Sequence, residues 1–146
     1  MTVRRELFAG IATLAFTGPS ASAAGPAPQL VEKIRAMTAE QITSSRQGLI
    51  QISKDEPHNI TKSEWLEIAR FKKHPVVTMA EIDVDKSMVA QGCSADDIFE
   101  IVIDLEEQHH IKMDVAEYGS DGNTTDGTLT VRKLAALVEA HLARVK

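Results

Sequence analysis

The chain has few of the residues from which several common scaffolds and binding faces are built. Its 146 residues include one cysteine, which excludes an internal disulfide framework. Its net charge is −5, whereas a face that binds phosphates needs clustered lysine and arginine, so nucleic acid is disfavoured as a partner. A permanent membrane span requires about 20 apolar residues, and the apolar run near the N-terminus is shorter than that. The length suits one small domain with extra segments.

The side-chain combinations of catalytic sites are also missing. Cys93 is the only thiol, and no histidine is close to it in sequence. A helix N-terminus tends to lower a thiol pKa, but Asp96 and Asp97 oppose that effect, so we expect Cys93 to be a small buried hydrophobic residue. Ser94 has no base placed beside it either. The sequence therefore predicts no catalytic residue and no enzyme.

Adjacent histidines, His109 and His110, are not spaced as a metal-binding pair. Neither has a second histidine four residues away, which is the spacing of a helical metal pair. Asp114 does lie four residues after His110, but the helix is expected to have ended by then. The expected role of both histidines is to favour the C-terminal end of a helix dipole when they are protonated. No metal site is predicted here.

The Gly- and Asp-rich segment at residues 118–128 resembles a calcium-binding loop only in composition. Counted from Asp121, the glycine expected at position six is Asp126, and the glutamate expected at position twelve is Arg132. A flexible loop is the prediction, and a calcium-binding helical protein is kept as a second alternative.

The N-terminal segment, residues 1–23, is typical of a signal peptide. Arg4 and Arg5 form a short basic start, residues 7–17 supply an apolar run, and Ala21-Ser22-Ala23 offers the small residues that a signal peptidase requires. We expect cleavage close to Ala23 and a periplasmic or secreted mature protein with a net charge of −6. A twin-arginine signal and a buried amphipathic N-terminus are the alternatives.

One strongly amphipathic helix is the most informative feature that is present. Apolar residues recur at i, i+3, i+4 and i+7 and predict a buried face, namely Ile98, Ile101, Val102 and Leu105. Carboxylates predict a second face, namely Asp97, Glu100, Asp104 and Glu107. Ser94 is a good N-cap, and Asp97 completes a variant of the capping box. The pattern predicts a helix over residues 95–108.

Four carboxylates on one face, with no lysine between them, cost the helix stability through mutual repulsion. One interpretation is a solvated face, and the other is a docking surface for a basic partner. A second helix is predicted over residues 131–145, with Thr130 as its cap and an apolar face made of Val131, Leu134, Ala135, Val138, Leu142 and Val145. Together the two helices predict a small all-α bundle.

Residues 24–79 are expected to form a linker and a helical extension. Residues 25–28 form a proline-containing spacer, and residues 30–42 then show a helical pattern. A second helical pattern covers residues 63–73, after Thr61 and before Pro75. Residues 53–59 are predicted to be a loop, and residues 75–79 an extended segment that packs on the bundle. Trp65 is expected to be a core residue or a lid over the bundle.

The amphipathic helix and its flanks resemble the acyl carrier proteins. From Gly92 to Glu107 the chain reads Gly-x-x-x-x-Asp-x-x-Glu-Ile-Val-x-x-Leu-Glu-Glu, which resembles the second helix of that family. Residues 82–88 resemble its Ile-x-Pro-Asp-x-x-Leu approach to the glycine, and residues 129–134 its Ile-x-Thr-Val-x-x-Leu entry to the last helix. The resemblance covers about residues 80–142 and implies an acyl-carrier-like helical domain over residues 80–146. The family has Phe-Gly-Ile-x-Ile after the acidic helix, which implies that Ile111 and Met113 re-enter the core. Either residues 30–42 or residues 63–73 would be the first helix of the family.

The resemblance also implies a function and shows a departure from it. In the family, a serine at the start of this helix carries a 4′-phosphopantetheine arm, and the acidic helix docks onto enzymes that handle the carrier. With Gly92 and Glu100 placed on their counterparts, the attachment position is Ala95, and Ser94 stands where the family has aspartate. A shift by one residue would rescue the serine but would place Glu100 on an apolar position of the helix.

The predicted function is an exported, non-enzymatic, acyl-carrier-like module without a phosphopantetheine arm. It would dock through the acidic residues Asp97, Glu100, Asp104 and Glu107 onto a protein partner with a basic patch, and acyl-handling enzymes are the partner class that the resemblance implies. The alternative is a functional carrier with the arm on Ser94, which would present acyl thioesters to enzymes.

Overall fold

The computed structural model describes residues 25–120, 124–125 and 128–145. This part of the chain is predominantly helical. Its helices are α1 (Pro28–Asp55), α2 (Lys62–Lys73), α3 (Ala95–His109), α4 (Val115–Tyr118) and α5 (Val131–Val145). Single 3-10 turns lie at Pro57–Asn59 and Met79–Glu81. The predicted helices at residues 95–108 and 131–145 are confirmed, the first with one additional residue.

α1 is a single helix of 28 residues. It begins at Pro28, where a proline costs nothing because the first N–H of a helix has no intrahelical partner. The backbone N–H of Ala27 donates to a carboxylate oxygen of Glu139 on α5 over 2.8 Å, so this end of the predicted spacer is held against the bundle. The prediction of a loop over residues 53–59 is wrong at its start, because α1 continues to Asp55.

α1 packs against α3 and α5, and the buried side chains of its N-terminal half share one core with theirs in a helical bundle. α1 contributes buried side chains at one helical face, namely Leu30, Val31, Ile34, Ala39 and Ile42. They belong to the same core as the buried residues between Ile82 and Val138. The predicted boundary between residues 79 and 80 therefore does not coincide with a break in the core, and residues 30–42 lie in the bundle.

α2 is held to the rest of the molecule by fewer buried side chains than α1 or α3. The hydroxyl of Thr61 caps its first turn, and the side chain of Glu64 returns a hydrogen bond to the N–H of Thr61. Ile68 is its only buried side chain, and its packing partner is α1. Trp65 is 40% exposed, so the expectation that it is a core residue is wrong.

The segments before α3 and before α5 lie side by side. The backbone N–H of Met88 donates to the carbonyl oxygen of Leu129 over 2.8 Å, and Ser87 forms an isolated antiparallel bridge with Thr130. A salt bridge of 2.7 Å joins Arg132 to Asp85. These contacts hold the N-terminus of α5 against the loop that leads to α3.

Smaller predictions about the core are confirmed. Ile111 and Met113 are buried after α3, and Val77 is buried in the extended segment before Met79–Glu81. The N–H of Val77 donates to the hydroxyl of Thr43 on α1 over 2.8 Å, which fixes this segment on the helix.

Two predicted features fall partly or wholly outside the described residues. The signal peptide at residues 1–23 is one. The central positions of the calcium-loop alternative, residues 121–123 and 126–127, are the other; around them Gly119–Ser120 pairs with Thr124–Thr125 in an antiparallel ladder of two residues. Among the helices of the described residues, none has the length and apolarity needed to cross a membrane.

Candidate functional site

A tight turn leads into α3 and buries the cysteine. Gly92 has a φ of 116°, a backbone conformation that favours glycine. The next N–H, that of Cys93, donates to the carbonyl oxygen of Met88 over 3.0 Å. Cys93 is 3% exposed, and burial, assisted by the nearby carboxylate of Asp97, raises the pKa of its thiol to about 12. The prediction of a small buried hydrophobic residue is confirmed.

The N-terminus of α3 carries the predicted capping box. The hydroxyl of Ser94 accepts a hydrogen bond from the N–H of Asp97 over 3.1 Å, and the carboxylate of Asp97 accepts one from the N–H of Ser94 over 2.9 Å. Ser45 on α1 donates a second hydrogen bond to the same carboxylate. Asp97 is 4% exposed, so its prediction as a docking residue is wrong: its carboxylate is used to cap α3 and to bind α1.

A groove of about 460 Å³ lies beside Ser94, between α1, α2 and the turn before α3. Arg46 and Arg70 line it, and both guanidinium groups lie over the ring of Phe71, with centroid distances of 4.9 Å and 5.9 Å respectively. Arg46 also donates to the carbonyl oxygen of His74 over 2.8 Å. These two cations are the part of the groove that suits an anionic group.

The residues at this groove nevertheless do not fit a phosphopantetheine arm. Ala95, the residue that the sequence resemblance puts at the attachment position, has no hydroxyl, and the hydroxyl of Ser94 already holds the N-cap. Glu67 and Asp97 also line the groove and offset the two arginines. A phosphodiester attached to Ser94 would lie beside the buried carboxylate of Asp97, which would repel it.

The remaining predicted docking residues are exposed together on α3. Glu100, Asp104 and Glu107 all point to solvent, on the side opposite the buried apolar face. This arrangement keeps three negative charges at the surface, where they produce a negative local potential.

Two apolar side chains lie among these carboxylates and were missed by the sequence analysis. Phe99 is 48% exposed and Ile103 is half-buried, one helical turn apart. Asp96, at the start of the same face, is also exposed. The signal for them was their spacing, because they follow Asp96 at i+3 and i+7. We call the surface made of Asp96, Phe99, Glu100, Ile103, Asp104 and Glu107 the acidic face.

A shallow depression of about 610 Å³ continues the acidic face towards the end of α3. Phe99 and Ile103 line one side of it, and Met113 and Tyr118 line another. Glu106 holds the edge of the depression in place, because its carboxylate accepts a hydrogen bond from the N–H of Met113 over 2.8 Å. The acidic face therefore combines an exposed aromatic side chain, a concave apolar neighbour and a rim of carboxylates.

Comparison of the chain with protein-family models, with curated proteins and with solved structures finds no match in any of the three.

Two adjacent histidines, His109 and His110, lie at the C-terminal end of α3. His110 ends the helix with a φ of 55°. Burial, followed by the nearby charges of Lys33 and His110, lowers the pKa of His109, which opposes the protonated form that would stabilise the end of the helix. Within the described residues, no group of three or more histidine, cysteine, aspartate or glutamate side chains is arranged to hold a metal ion.

Proposed function

We propose that the chain is an exported, non-enzymatic docking module that binds a partner protein through the acidic face. One observation carries this proposal: Glu100, Asp104 and Glu107 are exposed beside Phe99 on a helix whose opposite side is buried in the core. Carboxylates steer a basic patch into contact and orient it, and an aromatic side chain that loses water on contact adds affinity. Acyl-handling enzymes are the partner class suggested by the sequence resemblance.

The proposed module works without a phosphopantetheine arm. Ala95 at the attachment position and the use of the Ser94 hydroxyl in the cap both support this. The competing proposal, a carrier with the arm on Ser94, draws on the exposure of Ser94 and on Arg46 and Arg70 in the adjacent groove.

The docking role is tested by charge reversal in the native host. Tagged protein with Glu100→Lys and Asp104→Lys is compared with the wild type and with a control, Glu40→Lys and Asp55→Lys, which makes the same change in net charge on the exposed side of α1. We expect the wild type and the control to retain the same partner, and the acidic-face variant to lose it by at least about tenfold. Retention should also fall as salt rises from about 0.1 M to 0.5 M. Equal retention by all three proteins contradicts the proposal.

The absence of the arm is tested by the intact mass of the protein purified from its host. We expect the mass of the processed polypeptide alone. A mass increase of one phosphopantetheine group that is lost in Ser94→Ala would establish the carrier instead.

A further inference from the structure

The outer surface of α2 has the opposite charge to the acidic face. Three lysines of this helix, Lys62, Lys72 and Lys73, are exposed and do not line the groove beside Ser94, whereas its fourth cation, Arg70, does line that groove. Of its two glutamates, Glu64 is used in the capping box, and Glu67 lines the groove towards α1. The side of α2 that faces away from α1 is therefore positively charged.

This outer surface also carries exposed apolar side chains. Trp65 is 40% exposed, Leu66 is 69% exposed, and Ala69 lies exposed on the same side. A large apolar side chain that remains in water beside three lysines needs an explanation other than the packing of α2 on α1. We call the surface made of Lys62, Trp65, Leu66, Ala69 and Lys73 the basic face.

The two faces follow one spacing with opposite charges. On the basic face, Lys62 and Lys73 are separated by eleven residues, with Trp65 at i+3 and Ala69 at i+7. On the acidic face, Asp96 and Glu107 are separated by the same eleven residues, with Phe99 at i+3 and Ile103 at i+7. Eleven residues correspond to about 16 Å along a helix axis.

When two such helices lie antiparallel, both ends can form ion pairs at once. Lys62 then meets Glu107, Lys73 meets Asp96, and the aromatic side chains lie between the two pairs. We propose that the acidic face of one copy of this chain binds the basic face of a second copy. This inference rests on the docking role proposed above for the acidic face, and it names the partner.

Such contacts are heterologous, since each copy uses two different surfaces. They therefore extend into a ring or an open chain of copies rather than stopping at a symmetric dimer. A single pair of short helices buries little surface, so each contact is weak and association depends on protein concentration. A negatively charged membrane is the less favoured occupant of the basic face, because the whole chain carries a net charge of −5.

The test is a charge-swap series with the full protein purified from its host. One variant reverses the basic face, Lys62→Glu and Lys73→Glu, and the other reverses the acidic face, Asp96→Lys and Glu107→Lys. Their controls reverse exposed charges elsewhere, with Lys54→Glu and Lys86→Glu for the first and Glu40→Lys and Asp55→Lys for the second. Circular dichroism checks that all of them fold.

Sedimentation velocity is measured from about 10 µM to 1 mM protein, at low and at high salt. We expect the average mass of the wild type and both controls to rise at least twofold over this range at low salt. Each reversed variant alone should stay monomeric, and an equimolar mixture of the two should associate again, because each then offers the other a complementary face.

A mixture that stays monomeric, or a reversed variant that associates like the wild type, overturns the proposal. So does a monomeric wild type that binds vesicles containing phosphatidylglycerol through the basic face. If the wild type is monomeric but the acidic-face variant still loses a host partner, self-association fails and the proposed docking function survives. If neither effect is seen, both fail.

Discussion

The carboxylate of Asp97 joins α3 to α1 through hydrogen bonds, and the same contacts bury it. It accepts hydrogen bonds from the N–H of Ser94 and from the hydroxyl of Ser45, while its own N–H is capped by Ser94. A charge that is 4% exposed is costly unless such partners are present, and the N-terminus of α3 adds a favourable dipole. Asp97 therefore contributes to stability rather than to docking.

Substitution at this cap should separate the two roles. We expect Asp97→Ala to lower the free energy of unfolding by about 1–3 kcal/mol, because it leaves the hydroxyl of Ser45 and the N–H of Ser94 without their partner. Ser94→Ala should cost about 1 kcal/mol, the usual value of an N-cap. Asp104→Ala, an exposed control, should change stability by less than about 0.5 kcal/mol. Urea denaturation measures all three, and an equal loss for Asp97→Ala and Asp104→Ala would rule out the structural role.

Glu117 gives a pH-dependent contribution at the junction of α4 and α5. The N–H of Asp114 donates to its carboxylate over 2.9 Å, and His141 lies 2.9 Å away, so the pKa of Glu117 is lowered, chiefly by the backbone hydrogen bond. A lowered pKa means that the stabilisation is present above the ordinary carboxyl pKa of 4.5 and is lost as the pH falls through the lowered value.

We therefore expect Glu117→Gln to destabilise the protein by about 1 kcal/mol at pH 7 and by much less at acidic pH, where the wild type has lost the same charge. Thermal denaturation of both proteins between pH 7 and pH 3 measures this difference. Glu40→Gln, at an exposed position, is the control. A penalty that is independent of pH would contradict the assignment.

At the scale of elements, α2 is held in place by fewer buried side chains than the neighbouring helices. Ile68 is its single buried side chain, whereas α3 buries Ile98, Ile101, Val102 and Leu105. Segments with few buried apolar contacts open locally at lower free energy than the core. We expect α2 to open while the bundle stays folded.

Ile68→Ala tests this expectation. The substitution should remove the hydrogen-exchange protection of residues 62–73 while changing the melting temperature of the bundle little. Ile101→Ala, in the core of α3, should instead lower global stability by about 2–5 kcal/mol. If Ile68→Ala and Ile101→Ala lower the global transition equally, α2 belongs to the same cooperative unit as the bundle.

A structural feature could be predicted from the sequence where the residues that produce it are close together in the chain. The helix predicted over residues 95–108 followed from the spacing of Ile98, Ile101 and Leu105 and from the cap at Ser94, which involve neighbours in the chain. The burial of Asp97 could not follow in this way, because Ser45, its partner from α1, is 52 residues away. The spacing of Phe99 and Ile103 from Asp96 is also local in the chain, and it places both side chains on the exposed side of α3.

At the scale of the whole molecule, the export prediction concerns residues 1–23, which lie outside the described residues. We expect protein from the native host to begin at or close to Ala24 and to be found outside the cytoplasm, because Ala21-Ser22-Ala23 follows an apolar run and a basic start. Intact mass and cell fractionation measure both properties. A chain that retains Met1–Ala23 in the cytoplasm would refute the prediction, and Ala23→Asp should block the cleavage.

The continuity of α1 has a consequence for the angular relation between the two charged faces. The first half of α1 packs against α3 and α5, and its second half packs against α2. This one helix, about 42 Å long, therefore sets how far the basic face is rotated about the axis of α1 relative to the acidic face. One residue inserted into the exposed region near Gly48 would rotate everything beyond it by about 100°, whereas an insertion of seven residues would come close to two full turns. In the proposed assembly, the number of residues in α1 therefore sets the direction in which successive copies meet.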